Sequence, residues 1–411
     1  MLKSFLIFVQ ILSEMISQEE IRQTAEAMYE DTVALRRHMH TYPELSFQER
    51  ETSRYIQSKL SDYGISYKSG YAENGVAAVI EGNGEGKTVV LRADFDALPI
   101  AEDASHDCCS KRSGVMHACG HDMHTASLLT VGRMMNGMRD RWSGRLMLVF
   151  QPGEECYPGG ANVMMRDGLF DRVTPDVVIG CHVMPDMPTG HVGFCAGSYM
   201  ASGDEIHMTV RGNGGHGAMP HLLTDNVLVA CQIVVALQQL TARVVPATVP
   251  CVLSFGRIIA DGATNVIPDT VYIGGTLRVM SEEWRAKMKQ KIRQVAAGIA
   301  ESFGTTCDID IKDGFPSVYN DPEVTASAER YAKAYLGEDN VEKMSVRMTS
   351  EDFGYYTLKY PSVYYRFGVM KPDGTTGNVH TSRFDPDETS LRVAPAVMTW
   401  LALNFLEQKK R

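Results

Sequence analysis

The sequence predicts an α/β fold: a central mixed sheet flanked by helices, with a ferredoxin-like α+β domain inserted into it. Three observations predict this. Short apolar runs ending at Gly or Pro lie between helical stretches, as buried strands of an α/β sheet do. After about residue 200 the order becomes strand, helix, strand, strand, helix, strand, over roughly 110 residues. The chain, at 411 residues, is also too long for the usual single core.

The elements follow in order. Residues 18–62 are charged and read as two helices, with Leu35, Met39, Tyr55, Ile56 and Leu60 as periodic apolar positions and a break at Tyr42-Pro43-Glu44. Residues 76–80 and 88–91 read as strands around a glycine-rich hairpin turn, GNGEG. That turn superficially matches a phosphate loop, but Glu81 stands where the first Gly is required and a strand follows. Residues 145–150 and 176–180 are further buried strands. Within the insertion, strands are expected at 205–211, 252–259, 271–279 and 307–311, and helices at 226–244 and 282–303. The chain then returns to a helix at 323–336, a strand near 363–365 and an amphipathic helix at 390–408. The expected domains are 1–200 and 314–411 for the split sheet domain and 201–313 for the insertion.

Composition narrows the partners. Lys+Arg is 40 and Asp+Glu is 50, a net charge of −10, which speaks against nucleic-acid and anionic-membrane partners. No run approaches the roughly 18–20 apolar residues that span a bilayer. Residues 5–12 (FLIFVQIL) have the look of a short signal core, but no cleavage site follows. They read as the start of a helix, or as a stretch upstream of a true start at Met15. Nine cysteines, odd in number and dispersed, fit a reducing, cytoplasmic setting rather than a disulfide framework.

The densest chemistry is in MHACGHDMH, residues 116–124, with three His, one Cys and one Asp. A thiolate and an imidazole two residues apart, Cys119 and His121, suit Zn, Mn, Co or Ni better than Mg or Ca. An isolated Cys-x-His would more often be a hydrogen-bonded core pair. Downstream, however, Glu154 and Glu155 follow a strand, His182 follows another, and His380 lies in GNVHT. Two adjacent carboxylates at a strand end allow one to bind metal while the other serves as a base, although Glu-Glu alone is equally a solvated turn. Cys119, His121, Glu155, His182 and His380 are more ligands than one tetrahedral ion accepts, which suggests two metals with a bridging group. An Asp of RADFDALP would orient a ligand imidazole from behind.

These motifs resemble the metal-dependent aminoacylase/carboxypeptidase family, in particular its branch of hippurate hydrolases, N-acetyl-diaminopimelate deacetylases and hydrolases of indole-acetyl-amino-acid conjugates. The resemblance runs from about Leu35 to Leu401 through RADFDALP, GVMHACGHDMHTA, FQPGEE, GCHVMP, GGHGAMPH, NVIPDT, SEDF and VHTSRFD. It implies a hydrolase of linear amide bonds, with N-acyl amino acids as substrates and two divalent ions per subunit, Zn or Mn first and Co or Ni next. It also implies that the insertion is a lid that dimerises the protein. By residue, Cys119 matches a bridging thiolate and His121, Glu155, His182 and His380 the other ligands. Glu154 matches the general base and Asp94 the supporting acid. His216 matches a lid histidine that serves the partner subunit, and Asn265 and Arg278 match lid positions that hold the substrate's amide and carboxylate. Met123 and Gly153 depart from the usual Gly and Ala, and Met123 is expected to reshape the acyl pocket. Cys156 and Cys181 are expected at the edge of the site. The competing readings are a dipeptidase or carboxypeptidase of the same family, a non-catalytic binding protein on this fold, and a redox protein using Cys108-Cys109.

Overall fold

The computed structural model describes residues 16–103 and 108–408, so the run at 5–12 lies outside the described residues. The chain divides into two compact units. One runs up to Gly197 and takes in Tyr319–Ser345 and the chain from Tyr355 onward; the other holds Ser198–Val318 and Val346–Gly354. The second unit thus starts earlier and ends later than the expected 201–313, and it recruits a segment near residue 350 that the sequence placed in the sheet domain.

The first unit opens with three helices where two were expected: α1 (Gln18–Ala27), α2 (Tyr29–Thr41) and α3 (Arg50–Asp62). Ser17 caps α1 by accepting the Glu20 N–H at 3.1 Å. The break between α1 and α2 falls at Met28, where no Gly or Pro marks it. Strand β1 (Tyr67–Tyr71) has four exposed residues and so carried no apolar signal. It is followed by β2 (Gly75–Glu81) and β3 (Thr88–Asp94). These two do not form the expected hairpin. Strand β4 (Arg145–Gln151) lies between them, antiparallel to β2 with Val76 opposite Phe150, and parallel to β3 with Thr88 opposite Arg145. The glycines of the 82–86 loop serve close packing instead: a Cβ on Gly86 would lie 2.7 Å from Gly144 Cα. Between β3 and β4 comes α4 (His121–Gly137), buried along nearly its whole length. Then follow α5 (Gly160–Arg166), the long β5 (Val177–Pro188) and β6 (Val192–Phe194).

The second unit is one four-stranded antiparallel sheet, β7 (Asp204–Arg211), β8 (Cys251–Ile259), β9 (Thr270–Val279) and β10 (Thr306–Lys312), in the order β8-β9-β7-β10. Strand β7 alternates buried and open positions, so one face meets its core. Helices α6 (Asn226–Gln239) and α7 (Glu282–Ser302) pack against each other and the sheet. This is the strand order of a ferredoxin-like unit. The expected helix 226–244 is α-helical only to Gln239 and ends in a five-residue π turn, Leu240–Val244. Those 19 residues are, by hydropathy, long and apolar enough to cross a bilayer, which the count of unbroken apolar runs did not register. Here Val229, Ala230, Ile233, Leu237 and Leu240 are buried in the unit's core.

The chain returns to the first unit with α8 (Pro322–Leu336), β11 (Val341–Lys343), β12 (Ser362–Met370) and α9 (Ala394–Leu406). The expected last helix is divided, because Glu388–Arg392 is a 3-10 turn capped by Asp387. The sheet order is β1-β2-β4-β3-β5-β12-β6-β11. Strands β3, β4, β5 and β12 are mutually parallel, so their carboxyl ends share one edge. This is an α/β fold with a mixed central sheet. Strand β5 is longer than expected: it continues past that edge beside β12, with His182 opposite Arg366, so Cys181 and His182 lie inside it rather than after it.

Candidate metal centre

The common carboxyl edge of the parallel strands gathers the chemistry. Strand β3 delivers Asp94, and the turn after it Asp96. Strand β4 ends at Gln151 and leads into Gly153-Glu154-Glu155. Strand β5 presents His182, and His121 opens α4. Ligand atoms of Cys119, His121 and His182 lie within 4.8 Å of one another; so do those of Cys119, Glu155 and His380, and those of His121, Glu154 and Glu155. All six expected side chains therefore share one cluster. His380 Nε2 is 3.1 Å from Glu155 Oε1, and its N–H donates to Ala118 O at 2.8 Å, beside Cys119. It adopts φ 62, a conformation costly for a non-glycine residue that persists only where the surroundings enforce it.

The hydrogen bonds separate ligand imidazoles from structural ones. His121 Nδ1 lies 3.0 Å from both Asp96 Oδ1 and Asp96 O. Both atoms only accept, so Nδ1 keeps a proton and Nε2 is the nitrogen left facing the cluster. That Nε2 is buried without a hydrogen-bond partner. His182 Nδ1 donates to Val183 O at 2.8 Å, which leaves its Nε2 3.2 Å from Cys119 Sγ. His124 differs: Nδ1 donates to Asp94 Oδ1 at 2.6 Å and Nε2 accepts the Val183 N–H at 3.0 Å. Both its nitrogens are satisfied, so it has no lone pair to offer an ion.

The electrostatics favour a cation. Burial pushes the Cys119 thiol well above its ordinary range, and the Glu155 and Glu154 carboxylates push it further. Burial opposes charge on His121, but Asp94 and Asp96 outweigh it and hold the group up to about 10. His182 is kept neutral by burial and by Arg366, His124 and His121. One thiol, two carboxylates and two imidazole Nε2 atoms around a shared point fit borderline divalent metal ions, and His121 Nε2, buried without a hydrogen-bond partner, is the atom such an ion would satisfy in place of a proton.

Several expectations resolve differently. The carboxylate behind His121 is Asp96; Asp94 Oδ1 is 3.9 Å from His121 Nδ1 and instead holds His124, while Arg92 pairs with Asp94 Oδ2 at 2.5 Å. Asp96 stood in the quoted RADFDALP motif, two residues further on. Met123 is fully buried in the main core, so it does not line an open pocket. Cys181 points away from His182, as neighbours in a strand must, and joins Tyr365 in the core, whereas Cys156 is exposed. Buried Glu49, which no motif reading singled out, accepts the Gly153 N–H at 2.8 Å. The remaining expected residues belong to the second unit. His216 is exposed in a two-residue strand opposite Val266. Asn265 O accepts the Gly217 N–H at 2.8 Å. Arg278 on β9 donates to Ser350 Oγ at 2.7 Å.

The chain is similar to known proteins over most of its length. A family model described as peptidase family M20/M25/M40 matches residues 90–404. An N-acyl-L-amino acid amidohydrolase of Geobacillus stearothermophilus is 38% identical over 74% of this chain and 82% of its own length. Thermostable carboxypeptidase 1 of Saccharolobus solfataricus is 34% identical over 94% and 98%. The crystal structure of the Bacillus subtilis YXEP protein, a dinuclear metal-binding peptidase of the M20 family, superposes with a TM-score of 0.80 at 32% identity, covering 93% of this chain and 99% of that one.

Proposed function

We propose, for a chain that belongs to peptidase family M20/M25/M40 and is a metal-dependent hydrolase of linear amide bonds, that it cleaves N-acyl amino acids to a carboxylic acid and a free amino acid. The observation that carries this is the pair of imidazoles, His121 and His182, each with Nδ1–H locked by an acceptor and Nε2 turned towards Cys119, Glu154 and Glu155. Cys119, His121, Glu155, His182 and His380 would hold two divalent ions, Zn or Mn first. When bound, such ions polarise the amide carbonyl and make water nucleophilic at neutral pH.

The protein's own residues do the rest. Glu154, buried and 4.0 Å from His121 Nε2, takes the water's proton on its carboxylate and returns it to the leaving nitrogen. Asp96 keeps His121 in the tautomer that exposes Nε2, and Asp94 fixes His124 behind the strand. In the second unit, Arg278 takes the substrate's carboxylate and Asn265 its amide. His216 of the partner subunit stabilises the oxyanion of the tetrahedral intermediate. The dimer this requires is supported by the second unit's apolar exterior: Leu228 and Val235 on α6 are 52% and 73% exposed, and Ile258 and Ile259 lie open on the edge strand β8.

Glu154→Gln tests the reading. It is expected to retain the wild-type metal content by elemental analysis and to lose roughly 10²–10⁴-fold in turnover of an N-acetyl amino acid. Near-full activity would remove Glu154 from its role. A panel of N-acetyl, N-benzoyl, long-chain N-acyl and dipeptide substrates tests the substrate class; faster turnover of dipeptides than of every N-acyl amino acid would overturn it.

A further inference from the structure

We infer that Glu49, which lies far upstream of every metal-type motif, is a positioning residue that sets the turn carrying Glu154. The inference rests on the reading of Glu154 as the base and adds a residue that reading does not use. Glu49 precedes α3 and is fully buried. Its Oε1 accepts the Gly153 N–H at 2.8 Å, and its Oε2 accepts from Asn74 Nδ2 at 3.1 Å. The Gly153 peptide is held on its other side as well, because Gly160 N–H donates to Gly153 O at 2.9 Å. Gly153 sits at φ 63, and a Cβ there would come within 2.5 Å of the Phe47 ring. Phe47 itself adopts φ 61. Two residues of the 47–49 segment, Glu49 through its carboxylate and Phe47 through its ring, thus close on the single residue before Glu154.

The same short segment grips the neighbouring strand end. Ser46 Oγ donates to Asp96 Oδ2 at 2.7 Å, and Asp96 Oδ2 also accepts the Glu155 N–H at 2.9 Å. Ala97 N–H donates to Glu44 O at 2.8 Å. Glu49 and Asp96 therefore pin alternate N–H groups of the turn, one on each side of Glu154. A buried carboxyl satisfied by backbone N–H and an amide has no need of a metal for its own sake, and its one backbone contact at the site is Gly153. Burial, with the nearby Asp96 carboxylate, pushes it up to about 8. An uncharged amide is therefore a near-isostere at neutral pH, and its oxygen can still accept the Gly153 N–H.

The test compares Glu49→Ala, Glu49→Gln and Glu154→Gln in the metal-loaded full-length protein, with kcat, KM and metal content measured on an N-acetyl amino acid. We expect Glu49→Ala to lose about 10–100-fold in kcat, with KM within about threefold and metal content unchanged, because a misplaced catalytic group costs rate before it costs binding. Glu49→Gln should recover to within about threefold of wild type. Unchanged kcat in Glu49→Ala, an equal loss in both variants, or a loss that follows metal content alone would overturn the inference. If Glu49→Ala does not fold, Glu49→Asp decides, since it keeps a carboxyl but draws it one methylene back from the Gly153 N–H: a kcat-selective loss supports the inference and an unchanged kcat overturns it. Glu154→Gln separates the two levels. A dead Glu154→Gln beside a fully active Glu49→Ala sinks only this inference, whereas an active Glu154→Gln sinks the reading beneath it.

Discussion

The two units hold their functional candidates in opposite ways. In the first, the metal-type side chains are mostly buried and each is fixed by a dedicated partner: Asp96 behind His121, Val183 O behind His182, Ala118 O on the His380 backbone. In the second, His216 and Asn265 are exposed, and they lie in and beside two short strands of two residues that pair with each other. A site that must desolvate and concentrate ions has to be built before they arrive, since unpaired buried donors are costly without rigid support. Residues that meet a substrate or a second subunit can be left in water until they are used. The contrast predicts a division of labour: damage in the first unit appears in metal binding, and damage in the second leaves metal content intact.

The strongest attempt to break that division is Cys119→Ala. Removing the thiol from the shared point should drop metal content well below the wild-type value and cut turnover by at least about 10³-fold, because bound ions supply several kcal/mol of transition-state stabilisation. Wild-type metal content in this variant would end the assignment of Cys119. Next comes His216→Ala, which should lose about 100-fold in kcat, equivalent to roughly 3 kcal/mol of oxyanion stabilisation, with metal content unchanged. If His216 acts across a dimer, mixing it with Glu154→Gln should restore activity, each subunit supplying what the other lacks; no recovery on mixing would place it in its own subunit's site. Third is Asp96→Ala, which leaves every proposed ligand in place. Metal affinity by competition with a chelator should weaken about 10–100-fold. An equal effect from Asp94→Ala would erase the distinction between the two carboxylates.

How much of this was legible beforehand follows the same line. The ligand types, the carboxyl-end placement and the β-α-β-β-α-β order were legible because each depends on residue identity and local period. Strand pairing was not: the 82–86 loop looks like a hairpin turn, and only the insertion of β4 between β2 and β3 shows otherwise. Strand β1 was missed because YKSGY lies almost wholly in water and has no apolar face to betray it. Asp94 and Asp96 are indistinguishable by type and strand end; their roles separate only through which imidazole each one touches. Glu49 was invisible for a related reason, since a carboxylate between Gln and Arg reads as surface until the fold buries it. The departure at Met123 misled because nearness in sequence to the metal motif is not nearness in space on a helix buried all round.

The smallest expected effect on turnover comes from the second unit's own buried ion pair. Asp204 opens β7 and accepts from Arg285 Nε at 2.8 Å and Nη2 at 2.7 Å, with Gly314 N–H at 3.1 Å as a third donor. Burial raises its pKa, but the Arg285 hydrogen bonds and charge, with Lys289, outweigh burial and hold it below the ordinary 3.8. A depressed carboxylate stabilises the fold fully above its unfolded pKa, and that contribution is lost as pH falls through the folded value. Asp204→Asn leaves the buried Arg285 with Glu282, 2.8 Å from its Nη1, as the remaining counter-ion, and costs up to about 3 kcal/mol. The melting temperature at pH 7 should therefore fall, while metal content is unchanged and kcat at 25 °C stays within about threefold. The gap in stability between wild type and variant should be constant from about pH 7 to pH 5 and close below about pH 4. A gap that persisted undiminished at low pH would mean that shape rather than charge holds this corner. A loss of bound metal would mean that metal binding is not built by the first unit alone.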